Sequence, residues 1–278
     1  VLSDRMKVFN WFMDAFEARW REAAFENLSF EGYYWYHEEI DQGENDPDEA
    51  AMIRGAAAIA HERGTQFFWI PWYTAPGYTK WKSYGFDVAC MQPNYAFNGS
   101  ILENRLDMAE ALIRSLGLCL EMEIDDKALD NQLYYDKYMD YLKHGVTDGY
   151  MNDAIHMYYQ GVRIFGSARE SSSEKINAIY DYTYQFIKKS LPEKPGTLDA
   201  IGFECAEGSA LNGELGTDAP VRRYQVYVSP EHGTVSISEN GTFTYYPDAG
   251  YTGPDTFEYR YSDQLFYSDG CQVNVTVK

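Results

Sequence analysis

A chain of 278 residues with 45% hydrophobic content has enough apolar material for one or two folded domains, and that composition excludes a disordered protein. With 23 Lys+Arg against 43 Asp+Glu, the formal net charge of -20 repels polyphosphate and anionic lipid, and no basic run offers a local exception. Nucleic acid and membrane surfaces are therefore poor partners, and no apolar stretch approaches the roughly 20 residues that would insert into a bilayer.

The opening Val1-Leu2-Ser3-Asp4-Arg5 lacks the charged and apolar blocks of a leader, so any targeting segment is expected upstream. Aromatic residues make up 17% of the chain, with 25 Tyr and 6 Trp, more than a core of this size needs. Two readings follow: Tyr-rich packing, or surfaces that stack on flat uncharged ligands. Sugar rings are the common ligand of that kind, burying a C–H face on the aromatic ring while their hydroxyls take hydrogen bonds.

In chain order, an amphipathic helix is predicted over 6–25, with Trp11, Phe12, Phe16 and Trp20 packed outside a first strand, Gly32–Tyr36. Asp46-Pro47-Asp48-Glu49 reads as a helix start, with proline at the first helical position and acids in the first turn. The helix should stop at Gly64. Gln66–Tyr73 is a buried strand, followed by a short helix through Trp81 and the run Phe86–Met91. The order then repeats: a helix over 102–116, the run Leu118–Ile124, a helix over 133–143, and a fifth strand at Gly149–Asp153.

Strands alternating with helices imply parallel pairing, and near-continuous apolar runs imply burial on both faces. No Gly-x-Gly-x-x-Gly or Walker loop follows any strand, which removes the usual nucleotide-binding reason for an open sheet. Polar and acidic residues do follow the strands, as in barrel enzymes, so the expected fold is an α/β TIM-type (β/α) barrel. Only five of its eight strands are found, numbered four to eight if Gly149–Asp153 is the last. An upstream barrel segment or a second chain is expected to complete the sheet.

Alternation along Leu118–Ile124 turns Leu118, Leu120, Met122 and Ile124 toward helices, and Cys119, Glu121 and Glu123 into the lumen. Two carboxylates inside a strand are costly unless paired or used, and no strand carries an obvious basic partner. At the end of the first strand, alternation with Tyr34 and Tyr36 selects Glu38; the opposite register would select His37 and Glu39. A pair of glutamates at strand ends suits glycoside hydrolysis, where carboxyls stand about 5–10 Å apart. Catalytic candidates are thus Glu38 and Glu123. His37, Glu39, Trp69, Tyr73, Gln92, Asn94, Tyr95, Glu121 and Asn152 are the candidate substrate-binding residues, with Trp72 a further stacking platform. The five His have no zinc-protease spacing and no Gly-x-Ser-x-Gly is present, so neither a metal nor a cofactor is expected, and the expected partner is a carbohydrate.

The glutamate placement resembles clan A glycoside hydrolases, which carry an acid/base glutamate after the fourth barrel strand and a nucleophile after the seventh; His37-Glu38 stands where that clan usually has Asn-Glu. The blocks GYYWYHEEI, FFWIPWY, FDVACMQPNYAF, LCLEMEID and GYMNDAIHMYYQG resemble the bacterial domain-of-unknown-function family 4855 over roughly residues 1–190. That resemblance implies the barrel fold but no established activity.

Two prolines and a glycine in Leu191-Pro192-Glu193-Lys194-Pro195-Gly196 mark a domain boundary, giving a barrel domain over 1–191 and a second domain over 197–278. The second carries short alternating strands, with Asn240-Gly241 as a hairpin turn between two of them. About seven strands in some 80 residues describe an immunoglobulin-like sandwich. PEHGTVSISENGTFTYYPDAGYTGPDTFEYRYSD resembles the bacterial cadherin-like and immunoglobulin-like repeats of secreted and surface enzymes, which implies a secreted or cell-surface bacterial protein. Cys205 and Cys271 fall in neighbouring strands, where a disulfide and two free thiols both fit.

Overall fold

The computed structural model describes all residues except 42, 44, 217–222 and 263–264. The chain divides into two compact units, Val1–Ser190 and Leu191–Lys278.

The first unit is a curled, half-barrel parallel sheet in the order β1 (Gly32–Trp35), β2 (Gln66–Trp69), β3 (Val88–Met91), β4 (Cys119–Glu123), β5 (His156–Tyr159). Its long helices are α1 (Leu2–Ala23), α2 (Glu49–Glu62), α3 (Asn104–Leu116) and α4 (Gln132–Thr147). A one-turn α5 (Tyr150–Asp153) precedes β5, and α6 (Ile164–Glu170) and α7 (Glu174–Ile187) follow it.

Close strand approach needs glycine at position 32, where a Cβ would sit 2.1 Å from the Gln66 carbonyl oxygen. Tyr33 and Trp35 of β1 face the helices: the Tyr33 hydroxyl donates to Glu17 at 2.9 Å, and Trp35 packs on Phe9 at 5.7 Å. On α1, Phe16 packs against Phe30 and Tyr33, and Trp20 against Phe30. Trp11 and Phe12, expected in that packing, are instead exposed, because the helix turns Phe9, Met13 and Phe16 inward.

Two strands differ from expectation. Gln66–Tyr73 shortens to Gln66–Trp69, since Pro71 has no N–H for the ladder and only the Trp72–Gln92 bridge continues the pairing. Gly149–Asp153 is not a strand: Gly149 (φ 85°) turns the chain into α5, and the strand lies at His156–Tyr159. Asn152 and Asp153 are of types depleted in strands, whereas His156-Met157-Tyr158-Tyr159 can alternate between a helix-facing and a concave face.

The second unit packs β7 (Leu211–Glu214), β10 (Thr242–Pro247) and β9 (Gly233–Ile237) as one sheet. The other sheet runs β6 (Ile201–Cys205), β12 (Cys271–Val277), β11 (Gly253–Ser262), β8 (Arg223–Val228). Phe243, Tyr245, Phe257, Tyr259, Val273 and Val275 fill the core. Asn240-Gly241 turns β9 into β10, with Gly241 at φ 87° and the Asn240 side chain accepting from the Thr242 N–H. Cys205 and Cys271 are free. They lie on adjacent strands, but β6 and β12 run parallel and Cys205 pairs with Val277. That puts the two thiols at opposite ends of the ladder, about 20 Å apart at the strand rise, far beyond disulfide reach.

Candidate active site

Parallel register aligns the concave face. Cys90 of β3 pairs with Cys119 of β4, and Glu121 and Glu123 pair with Met157 and Tyr159 of β5. Leu120, Met122 and Ile124 are buried on the opposite, helix-facing side. Glu121 and Glu123 therefore point into the concavity from the C-terminal half of β4.

Glu123 is 0% exposed. Its Oε2 accepts from the Tyr95 N–H at 3.2 Å and from the Tyr141 hydroxyl of α4, and the Asn94 N–H also stabilises the charged carboxyl. Its Oε1 is buried with no hydrogen-bond partner. Burial pushes the carboxyl up to about 7 and the charge of Glu38 adds to this, while the three donors oppose it. Glu121, 7% exposed, has no described hydrogen bond; burial, then Glu123, then Glu38 push it up to about 8. Tyr34 joins the same cluster, raised to about 12 by burial and by the charges of Glu38 and Glu121. Glu38, Glu121, Glu123 and Tyr34 thus form one electrostatically coupled group.

The Asn94 and Tyr95 donors come from the loop after β3. Asn94 is left-handed (φ 53°), a conformation asparagine tolerates, and the turn brings the successive N–H groups of Asn94 and Tyr95 to the Glu123 carboxyl. The Tyr95 side chain points away: it is buried, donates to Asp140 at 2.9 Å, and lies under the Lys137 ammonium at 3.5 Å. Gln92 donates to the Ile70 carbonyl at 3.0 Å. These three residues, expected as sugar contacts, shape the loop and hold Glu123.

Glu38 is exposed on the loop after β1, in a cleft of about 420 Å³ lined by Tyr36, His37, Glu38, Glu39 and Trp72. The loop is pinned from behind. His37 Nδ1 lies 3.1 Å from Glu49 Oε1, and Glu49 Oε2 accepts from the Asp41 N–H. The Ile40 N–H donates to Pro76 at 2.9 Å. Trp69, expected in the cleft, is wholly buried on the helix side, stacked on Phe86 at 5.3 Å, and its indole N–H donates to the His37 carbonyl at 2.9 Å. Strand alternation sends it there: β2 turns Phe67 and Trp69 to the helices and Phe68 to the concavity. Tyr73 stacks under the Arg105 guanidinium at 4.0 Å. Asn152 belongs to α5, ahead of β5, and so lies at the opposite end of the sheet from Glu123.

Glu49, Tyr141 and Tyr34 were not singled out from sequence. In the sequence Glu49 reads only as an acid in the first turn of a helix, and nothing in the helical spacing of Tyr138 and Tyr141 tells which hydroxyl reaches a strand. Because buried Glu49 satisfies two groups of the Glu38 loop, Glu49→Ala is expected to destabilise the unit by about 1–3 kcal/mol. Urea unfolding checks this; a loss below about 0.5 kcal/mol would show that the loop does not depend on that carboxylate.

A half-barrel of parallel β/α units with acidic groups at the C-terminal strand ends is the class that fold and site define. The chain belongs to the family described as Domain of unknown function (DUF4855), whose profile matches residues 1–185. A Bacterial Ig domain profile matches residues 195–276. No curated protein matches the chain. Among solved structures it is similar, at TM-score 0.35 and 15% identity, to chitinase ChiW from Paenibacillus sp. str. FPU-7, described as a bacterial cell-surface-expressed multi-modular enzyme machinery. The alignment covers 84% of this chain and 30% of that one. Among the described residues, no helix is long and apolar enough to cross a membrane.

Proposed function

We propose that this chain is part of a secreted or surface-attached bacterial glycoside hydrolase that cleaves O-glycosidic bonds of a poly- or oligosaccharide, on a TIM-type sheet completed by further parallel strands at its free edges. The supporting observation is the carboxyl cluster at the C-terminal strand ends, in which burial and the charge of neighbouring acids, Glu123 and Glu38 on Glu121 and Glu38 on Glu123, perturb both groups. In this reading solvent-accessible Glu38 protonates the glycosidic oxygen as the C–O bond breaks. Glu123, anchored at Oε2 by the Tyr95 N–H and the Tyr141 hydroxyl, attacks the anomeric carbon through its unpaired Oε1 to form a glycosyl ester. The Glu38 carboxylate then takes a proton from the water that hydrolyses this ester, restoring both groups.

Access to Oε1 requires groups on the concave face to part, and the pair formed by Tyr159, ladder partner of Glu123, with Phe97 (ring centroids 5.5 Å apart) is the candidate. The sealed Glu123 favours a second reading, in which the cleft binds glycan without hydrolysis. Reducing-end release from a panel of polysaccharides separates the two. Glu38→Gln is expected to lower turnover of unactivated glycosides by about 10²–10⁴ and to do far less on aryl glycosides with good leaving groups. Equal turnover on both by wild type and variant would remove Glu38 from the mechanism.

A further inference from the structure

We infer that the glycan this concave face takes is cationic, built of amino sugars whose amines are free rather than acylated. The inference rests on the reading of this face as a glycan-binding cleft.

The first observation is the sign of the charge. Glu121 and Glu123 are each more than nine-tenths buried, aimed into the concavity by strand alternation, and incompletely partnered: Glu121 has no described hydrogen bond and Glu123 Oε1 has none. The neighbouring charges that raise Glu121 are those of two other acids, Glu123 and Glu38. The basic side chains near the loop behind the cleft are engaged elsewhere. Lys137 lies over Tyr95 and donates to the Ile101 carbonyl, while Arg105 lies over Tyr73 and donates to the Pro93 carbonyl. Carboxyls buried without counter-charge are held toward the protonated form; an arriving cation lets them ionise and pairs with the charge that forms, whereas a neutral sugar does neither. A uronic or sulfated sugar would push these carboxyls further toward the protonated form and gain no counter-charge from them.

The second observation is the spread of the groups. Among the described residues, only Asp107, His144 and Asp148, on the outer helices, bring ligand atoms close enough to share a metal ion. The oxygens of Glu38, Glu121 and Glu123 do not all come within 4.8 Å of one another, so a compact divalent ion is a poor fit and charge carried at the rim of a larger ring is a better one.

The third is the aromatic lining. Tyr34 is 43%, Tyr36 86% and Tyr159 49% exposed, and Tyr34 packs edge-on to Tyr36 at 6.4 Å. Such rings offer faces to a pyranose and attract an ammonium group through their quadrupole. Apolar ring face, ammonium and hydroxyls occur together in a 2-amino-2-deoxy hexose.

The test is calorimetric titration of the full chain, at neutral pH and low salt, with glucosamine oligomers, their fully N-acetylated counterparts of equal length, and neutral glucose oligomers, alongside a cleavage assay of each. The free-amine oligomers are expected to bind at least about tenfold tighter than the N-acetylated ones, with the advantage shrinking as salt is raised and in folded Glu121→Gln. Equal affinity for free and acetylated oligomers, with cleavage of either, overturns the inference and leaves the hydrolase reading standing. Preferential binding of the free-amine oligomers without cleavage supports the inference and overturns hydrolysis. Binding of none overturns the inference.

Discussion

Glu123→Gln is expected to lower turnover of a cognate glycan by about 10³-fold or more while leaving the fold intact and slightly more stable. The amide keeps the volume of the carboxyl, and its oxygen can accept from the Tyr95 N–H and the Tyr141 hydroxyl, which already meet one oxygen of Glu123. What it cannot do is attack the anomeric carbon, so kcat should fall with KM nearly unchanged. A buried amide also escapes the desolvation penalty that raises the carboxyl, so the variant should melt no lower than the parent at neutral pH. That pairing of lost turnover with retained stability separates a chemical role from a structural one. Unchanged turnover would move the nucleophile elsewhere, with Glu121 the next candidate, whereas lost turnover together with a collapse in stability would make Glu123 a structural carboxylate.

The elements that alternate cleanly were readable from sequence, and those that depend on where the backbone points were not. Leu120, Met122 and Ile124 against Cys119, Glu121 and Glu123 define the two faces of β4 directly, and the same rule selects Glu38 through Tyr34. The rule does not say which face is the concave one when both are apolar. Trp69 therefore reads equally well as a lining residue or as core, and it is core. The fifth strand was misplaced because glycine and aromatic residues at 149–151 imitate a strand start, while the true strand follows an Asn-Asp pair that closes one helical turn.

The support around Glu123 was hidden for another reason. Its donors are two backbone N–H groups, whose direction is set by the left-handed turn at Asn94, and a hydroxyl delivered from a helix 18 residues further on. Side-chain chemistry at positions 94 and 95 suggests sugar contacts; only the path of the chain shows that the main chain does the work. The cysteine pair in the sandwich has the same lesson: adjacency of β6 and β12 was legible, whereas their parallel sense, which separates Cys205 from Cys271, was not.

Stability of the half-barrel should carry the mark of Glu121 as a loss on going from acid to mildly alkaline solution. Its carboxyl is raised from 4.5 to about 8 in the folded chain, so the unfolded chain gives up this proton first as pH rises. Below about pH 4.5 both states are protonated and the group contributes nothing against folding. Between 4.5 and 8 the unfolded state is favoured progressively, and above 8 the difference is constant. Glu123, raised to about 7, acts in the same sense over a narrower window. A shift of this size in a largely buried group corresponds to roughly 2–5 kcal/mol. Glu121→Gln, which has no proton to lose, should abolish its share: wild type and variant are expected to differ little near pH 4.5, with the variant more stable by a margin that grows up to pH 8. Urea unfolding of both proteins at several pH values across that window reads the difference directly, ionisable groups outside the Glu38, Glu121 and Glu123 cluster cancelling in the subtraction. A gap that stays flat, or that narrows as pH rises, would mean that Glu121 ionises as readily in the folded chain as in the unfolded one, and that the concave face already holds the counter-charge a cationic glycan would otherwise supply.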